Sequence, residues 1–248
     1  MNETRKLVEF IVGVNYESLP ASVVEMAKLC ILDTVGVGLF GSQTKWANVV
    51  AGLATRARCQ GDSALWGHDM RTAPEYAALV NGTGAHGIEM DDRKPPYDAH
   101  TGAIVIPTAL AAAESGGIDG KKFITSVVVG YESAYRVGKA VPKQLERGIH
   151  APAHKGIWGA TAAASKALGL DVERSLNAFG IAGYMASGLW EFSQDPQRAT
   201  VKRLHGGWPA HSGVMAALLA RDGLTGPATV LEGKYGYCRV YAGEEPPR

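Results

Sequence analysis

Apolar positions along the 248-residue chain recur mostly at helical spacing. Val23, Val24, Ala27, Ile31 and Val35 form one stripe on a helix that begins near Pro20, a residue accepted in a first helical turn. The same period predicts helices over 45–58, 72–90, 103–116, 121–141, 156–169, 172–188 and 209–223. Their bounds carry matching punctuation: Asp171 as an N-cap, Gly169 and Gly223 as C-terminal stops, and Asp119-Gly120 as a turn. Only SALWGH at 63–68 reads as a strand, so a mostly α fold is expected. Glycines inside the runs GATAAAS and GIAGYMASG cost helix propensity but let helix backbones come close, which predicts a compact multi-helix core. No repeat of 20–50 residues is visible, against a solenoid. Residues 1–240 are expected to form one helical domain, and 241–248, ending in GEEPPR, a frayed tail.

Composition narrows the classes. With 46% hydrophobic and 20% charged residues the chain has enough apolar material for a core and is not a disordered sequence. Its 25 basic and 24 acidic residues leave a formal charge of +1, too little for bulk attraction to nucleic acid or an anionic membrane. Any anion must be caught locally. Cys30, Cys59 and Cys238 are odd in number and far apart, which suggests free thiols in a reducing compartment. No apolar run approaches the roughly 18 residues of a membrane span. The opening MNETRKLVEF does not read as a secretory leader, so a soluble cytoplasmic protein is expected.

Two motifs fail on context. Gly36, Gly38 and Gly41 spell GxGxxG, and Asp62 follows about twenty residues on, as a dinucleotide fingerprint asks. The fingerprint needs a preceding buried strand, whereas the helical stripe from Pro20 runs straight into these glycines, so no nucleotide cofactor is expected. His150 and His154 have the i, i+4 spacing of a zinc helix, but Pro152 lies between them and no Glu adjoins the first. No metal is expected there.

Three loops are more informative. The segment from His86 to His100 holds Glu89, Asp91, Asp92, Arg93 and Asp98 before an apolar helix starting near Ala103. A helix N-terminus offers free N–H groups and a positive dipole to a carboxylate, and a histidine beside it can carry a proton near neutral pH. Arg147 and His150 precede the next glycine-rich helix, and Lys202, Arg203 and His205 precede another. If these helix starts converge, cations hold carboxylates while a neutral histidine takes a proton, as an enzyme of small polycarboxylates requires.

At these residues the sequence resembles the MmgE/PrpD family, which includes 2-methylcitrate dehydratase, cis-aconitate decarboxylase and iminodisuccinate epimerase. The resemblance is carried by ILDTVGVGLFGS (31–42), NGTGAHGIEMDD (81–92), HTGAIVIPTALAAAE (100–114), GATAAASKALGLD (159–171), NAFGIAGYMASGLWEF (177–192) and VKRLHGGWPAHSGVMAALLAR (201–221). It implies an all-α domain, and it matches His100, His150 and Lys202 to family histidines and a family lysine. Glu89 stands where the family usually has Asp, and Arg93 where it has Thr. Gly206 stands where a Pro often follows the Leu-His pair. Family members are usually much longer, with a second domain covering the cleft, and that cover is expected to be lacking here.

The resulting expectation is a cofactor-independent lyase, dehydratase-like, or its helical subunit, acting on a di- or tricarboxylate. Lys202 binds a carboxylate, His100 or His150 removes the proton beside it, and the other histidine, or a protonated Glu89 or Asp92, assists the leaving group. Asp91, Arg93, Arg203 and His205 complete the substrate contacts. Epimerisation or decarboxylation shares the first step, and a non-catalytic carboxylate-binding module stands as the rival from another class. The resemblance also implies a homodimer, and the missing cover a separate polypeptide that supplies it.

Overall fold

In the computed structural model of the protein, the described residues are 2–93, 100–142, 145–197 and 199–242. They form ten α-helices: α1 Glu3–Gly13, α2 Ala21–Gly41, α3 Lys45–Ala57, α4 Pro74–His86, α5 Gly102–Gly116, α6 Gly120–Ala140, α7 Ala151–Ala167, α8 Val172–Gly183, α9 Leu204–Arg221 and α10 Tyr237–Ala242. The fold is all-α apart from one small hairpin, in which β1 Ser63–Ala64 pairs antiparallel with β2 Arg71–Thr72.

The expected helices are all present, with shifted ends that have local causes. GxGxxG lies wholly within α2. Asp119 is the N-cap of α6, its side chain accepting from the Lys122 N–H at 2.9 Å. Asp171 caps α8 in the same way through Arg174, as its residue type predicts. The helix expected from 156 begins at Ala151, because Pro152 fits the first turn, and His154 is therefore helical. The helix expected from 209 begins at Leu204, and Pro209 falls inside it. The helix expected to run to 90 stops at His86, and the one expected to run to 188 stops at Gly183. The strand expected over 63–68 is two residues long. Tyr241 and Ala242 belong to α10, and 243–248 lie outside the described residues.

Nearly every residue of α7 is buried, and it packs against α5, α6, α8 and α9. Trp158 at its centre is fully buried and stacks on Phe179 of α8 at 5.9 Å between ring centroids. Truncating such a side chain costs about 3–5 kcal/mol. The second axis of packing is α4 against α9. A Cβ on Gly206 would sit 2.5 Å from both the Gly82 carbonyl oxygen and the His86 Cβ, so only glycine permits this approach. Buried Asn81 anchors α4 to the hairpin, accepting from the Trp66 N–H and donating to the Ala64 carbonyl, both at 2.9 Å. The three cysteines are free thiols. Among the described residues no helix is long and apolar enough to cross a membrane.

Candidate active site

The close contact of α4 with α9 brings the last residue of α4, His86, beside the first turn of α9, where His205 lies. Two further segments arrive at the same place: His100 just before α5, and His150 as the N-cap residue of α7. His86, His100, His205 and Lys202 all lie close enough to influence the charge of His150.

Asp92 fixes the loop after α4. Its carboxylate accepts from the Gly102 N–H at 2.7 Å and from the Tyr131 hydroxyl at 2.8 Å, tying the loop to α5 and α6. The first free N–H of α5 is therefore already occupied by a side chain of the protein. Burial pushes the Asp92 carboxyl above its usual range, and these two hydrogen bonds oppose the shift.

Asp91 sits between two imidazoles. Its Oδ2 lies 3.1 Å from His86 Nδ1 and 3.0 Å from His100 Nδ1, and the two rings meet edge to face at 4.6 Å. The Asp91 side chain is fully buried, as is that of His86, while His100 keeps a partly open edge. Burial favours a neutral Asp91, but the hydrogen bonds from His100 and His86 outweigh it and hold the carboxyl well below the usual range. An ionised carboxylate only accepts, so both Nδ1 atoms carry protons and the basic atom of a neutral His100 is Nε2. The donor atoms of His86, Asp91 and His100 lie within 4.8 Å of one another, a set that could hold a divalent cation only after those Nδ1 protons leave.

His150 and His205 form a second pair, with Nδ1 atoms 2.6 Å apart and ring centroids 4.8 Å apart. One Nδ1 donates and the other accepts, so the accepting neutral ring has its proton on Nε2. Burial, reinforced by the neighbouring cationic groups, lowers His150 to about 2 and His205 to about 4. Both are neutral at physiological pH. The 3₁₀ segment Glu191–Ser193 and the residue before it wall this pair: His150 packs on Trp190 at 4.7 Å and on Phe192 at 5.1 Å. The wall is pinned by the His150 N–H to the Gly188 carbonyl at 2.9 Å and the Trp190 N–H to the Gly148 carbonyl at 2.8 Å.

The cations come from the 3₁₀ turn Thr200–Arg203 that leads into α9. Lys202 Nζ lies 2.6 Å from one Glu89 oxygen and 2.7 Å from the other, and the Arg203 guanidinium also bonds this carboxylate. Arg203 rests over the Trp46 ring at 5.3 Å. Glu89 has φ of +60°, one of two non-glycine residues with positive φ among the described residues. Burial raises its carboxyl, but Lys202, His86 and Arg203 draw it below the usual range, so Glu89 is an ionised acceptor and not a proton donor.

Of the residues expected from the sequence, His100, His150, Lys202, Glu89, Asp91, Asp92, Arg203 and His205 come together here. Asp91 is buried between imidazoles, and Asp92 is committed to α5 and Tyr131. Arg93 is exposed at the end of the described part of the loop, and Asp98 lies outside it. His86, Tyr131, Trp46, Trp190 and Phe192 belong to the site without being among the residues expected from the sequence. His86 sits in the same His- and acid-rich segment as His100, and that proximity is a usable signal. Nothing local in the sequence marks Tyr131, which is found through its hydrogen bond alone.

Residues 5–248 match the family model described as the MmgE/PrpD N-terminal domain. The chain is 33% identical over 244 residues to the cis-aconitate decarboxylase-like protein oryM of Aspergillus oryzae, covering 95% of this chain and 50% of that protein. It is 32% identical over 250 residues to human cis-aconitate decarboxylase, covering 98% of this chain and 51% of the relative. To the mitochondrial 2-methylcitrate dehydratase of Yarrowia lipolytica it is 26% identical over 241 residues, covering 92% and 46%. The chain spans about half the length of the curated relatives it matches.

Proposed function

The chain belongs to the MmgE/PrpD family, and on that premise we propose that it serves as the helical part of a lyase that removes a proton beside a carboxylate of a small di- or tricarboxylate. The observation that carries this reading is Asp91 holding the Nδ1 proton of His100 at 3.0 Å, which leaves Nε2 as base in a site whose cations are Lys202 and Arg203.

In the mechanism, Lys202 and Arg203 bind a substrate carboxylate, and His100 Nε2 takes the proton from the adjacent carbon. The electron pair left behind spreads into that carboxylate, where the cations stabilise it. The His150–His205 pair, neutral and walled by Trp190 and Phe192, supplies a hydrogen bond from an Nε2–H to the developing charge and does not compete as a base. The His100 imidazolium then returns its proton to a leaving hydroxide, which departs as water. Decarboxylation is the second reading: there the bond to a departing carbon dioxide breaks in place of a C–H bond, its electron pair stays on the substrate carbons, and a protonated His100 delivers a proton to carbon; the relatives at 32–33% identity named for cis-aconitate decarboxylation favour it. Two partners belong to the proposal: a second copy of the chain, and a polypeptide that covers the site and excludes water.

Proton NMR in heavy water with cis-aconitate, 2-methylcitrate and citrate tests the reading. Exchange of the proton beside a carboxylate, or product formation, is expected with the unaltered protein and is lost in His100→Ala and Lys202→Ala. The product decides between dehydration and decarboxylation. Wild-type rates in both variants overturn the assignment, and silence with every substrate favours a carboxylate-binding module without turnover.

A further inference from the structure

The cations that should hold substrate already hold a carboxylate. Lys202 contacts both oxygens of Glu89, at 2.6 and 2.7 Å, and Arg203 bonds the same group. These side chains are neither deeply buried nor freely solvated: Lys202 and Arg203 are 25% and 26% exposed and Glu89 37%. Glu89 reaches them from a left-handed backbone conformation, with φ of +60°, that a residue with a side chain adopts at some cost. A long acid held in a strained conformation against two cations has the chemistry of a ligand.

We propose that Glu89 is an internal stand-in for a substrate carboxylate, and that substrate binds by displacing it from Lys202 and Arg203. This rests on the carboxylate-lyase reading and adds a rule of selection to it. When a monocarboxylate replaces Glu89, one carboxylate is exchanged for another and little is gained. A di- or tricarboxylate brings further groups to the histidines and can win the exchange. Glu89 therefore discriminates against ligands with a single carboxylate. The lost ion pair is itself a modest cost, because partly exposed pairs contribute little in water. Displacement is therefore feasible under a ligand that makes several contacts.

Calorimetric titration of the unaltered protein, Glu89→Gln and Glu89→Asp with tricarballylate, glutarate and butyrate tests this. None of these probes carries a hydroxyl to lose, so binding is read apart from turnover. Glu89→Gln keeps the shape and removes the competing charge; it is expected to bind tricarballylate about tenfold more tightly and to gain measurable affinity for butyrate. Glu89→Asp, one methylene shorter, cannot reach both cations as Glu89 does and falls between. Unchanged or weaker tricarballylate binding in Glu89→Gln, with a thermal midpoint equal to that of the unaltered protein, overturns the stand-in and leaves the carboxylate reading in place. Absence of binding by all three proteins overturns both.

Discussion

His150 and His205 share a single hydrogen bond between their buried Nδ1 atoms, 2.6 Å apart, so the pair cannot become doubly protonated without breaking it. Burial holds the two rings at about 2 and about 4, against an ordinary value of 6.5. Unfolding releases them to the ordinary value, so the unfolded chain binds more protons between pH 6.5 and 4. Stability is then full above pH 6.5 and falls as pH drops, by about 1.4 kcal/mol per pH unit for each histidine concerned. Urea unfolding from pH 7.5 to 4.5 should show this slope, and His205→Asn should reduce it, while buried His154, lowered to about 3, keeps its own share. A midpoint independent of pH in that range counts against the buried neutral pair.

In the proposed mechanism Asp91 acts through His100 and not on substrate, because its side chain is fully buried between two imidazoles. Asp91→Asn keeps the size but no longer demands a proton on His100 Nδ1. The expected result is a fall of about 10²-fold in kcat with KM nearly unchanged, the pattern of a lost orienting group. A rise in KM alone would place Asp91 among the substrate contacts.

Gly206→Ala should separate α4 from α9, since the new Cβ would meet the Gly82 carbonyl and the His86 Cβ at 2.5 Å. A loss of about 1–3 kcal/mol in stability is expected, together with loss of activity as His86 and His205 move apart. Thermal unfolding and turnover of the same preparation check both. A variant of unchanged stability would show that the crossing yields easily.

Chelation should leave activity intact. The three donors within 4.8 Å are already joined as two imidazole N–H groups and one carboxylate, and a cation would have to expel both protons. Turnover after dialysis against a chelator, with and without added zinc or manganese, decides it; loss and recovery with metal would reassign His86, Asp91 and His100 as ligands.

The outer face of α2 carries Met26, Leu29, Leu32, Leu39 and Phe40, with Leu32 and Phe40 72% and 71% exposed. Such a row on one 21-residue helix suits a second copy of the chain. Light scattering is expected to give a dimer, and Leu32→Glu a monomer that keeps its helical circular dichroism. A monomer at every concentration rules this pairing out.

The helices are legible because their apolar stripes are long, and GxGxxG is helical because α2, begun after Pro20, runs through those glycines to Gly41. The helices expected from 156 and 209 begin five residues earlier, at Ala151 and Leu204, with Pro152 in a first turn and Pro209 inside its helix. Helix α1 lies outside the expected helices, although Thr4, Val8 and Ile11 repeat at its buried face. Convergence of the three loops could be expected only as a condition, because it depends on the α4–α9 crossing. The division of labour among the carboxylates was not legible at all: Glu89, Asp91 and Asp92 are neighbours in sequence, yet one binds cations, one orients imidazoles and one caps a helix.

The capping role of Asp92 has a consequence for how this scaffold can change. With the Gly102 N–H at the start of α5 taken by the protein's own carboxylate, choice among the anions of the proposed reaction falls to the tips of Lys202, Arg203 and Glu89 rather than to that main-chain donor. Under the proposed function, single substitutions at those tips are therefore expected to redirect the protein toward acids of other lengths and charges while every helix stays where it is.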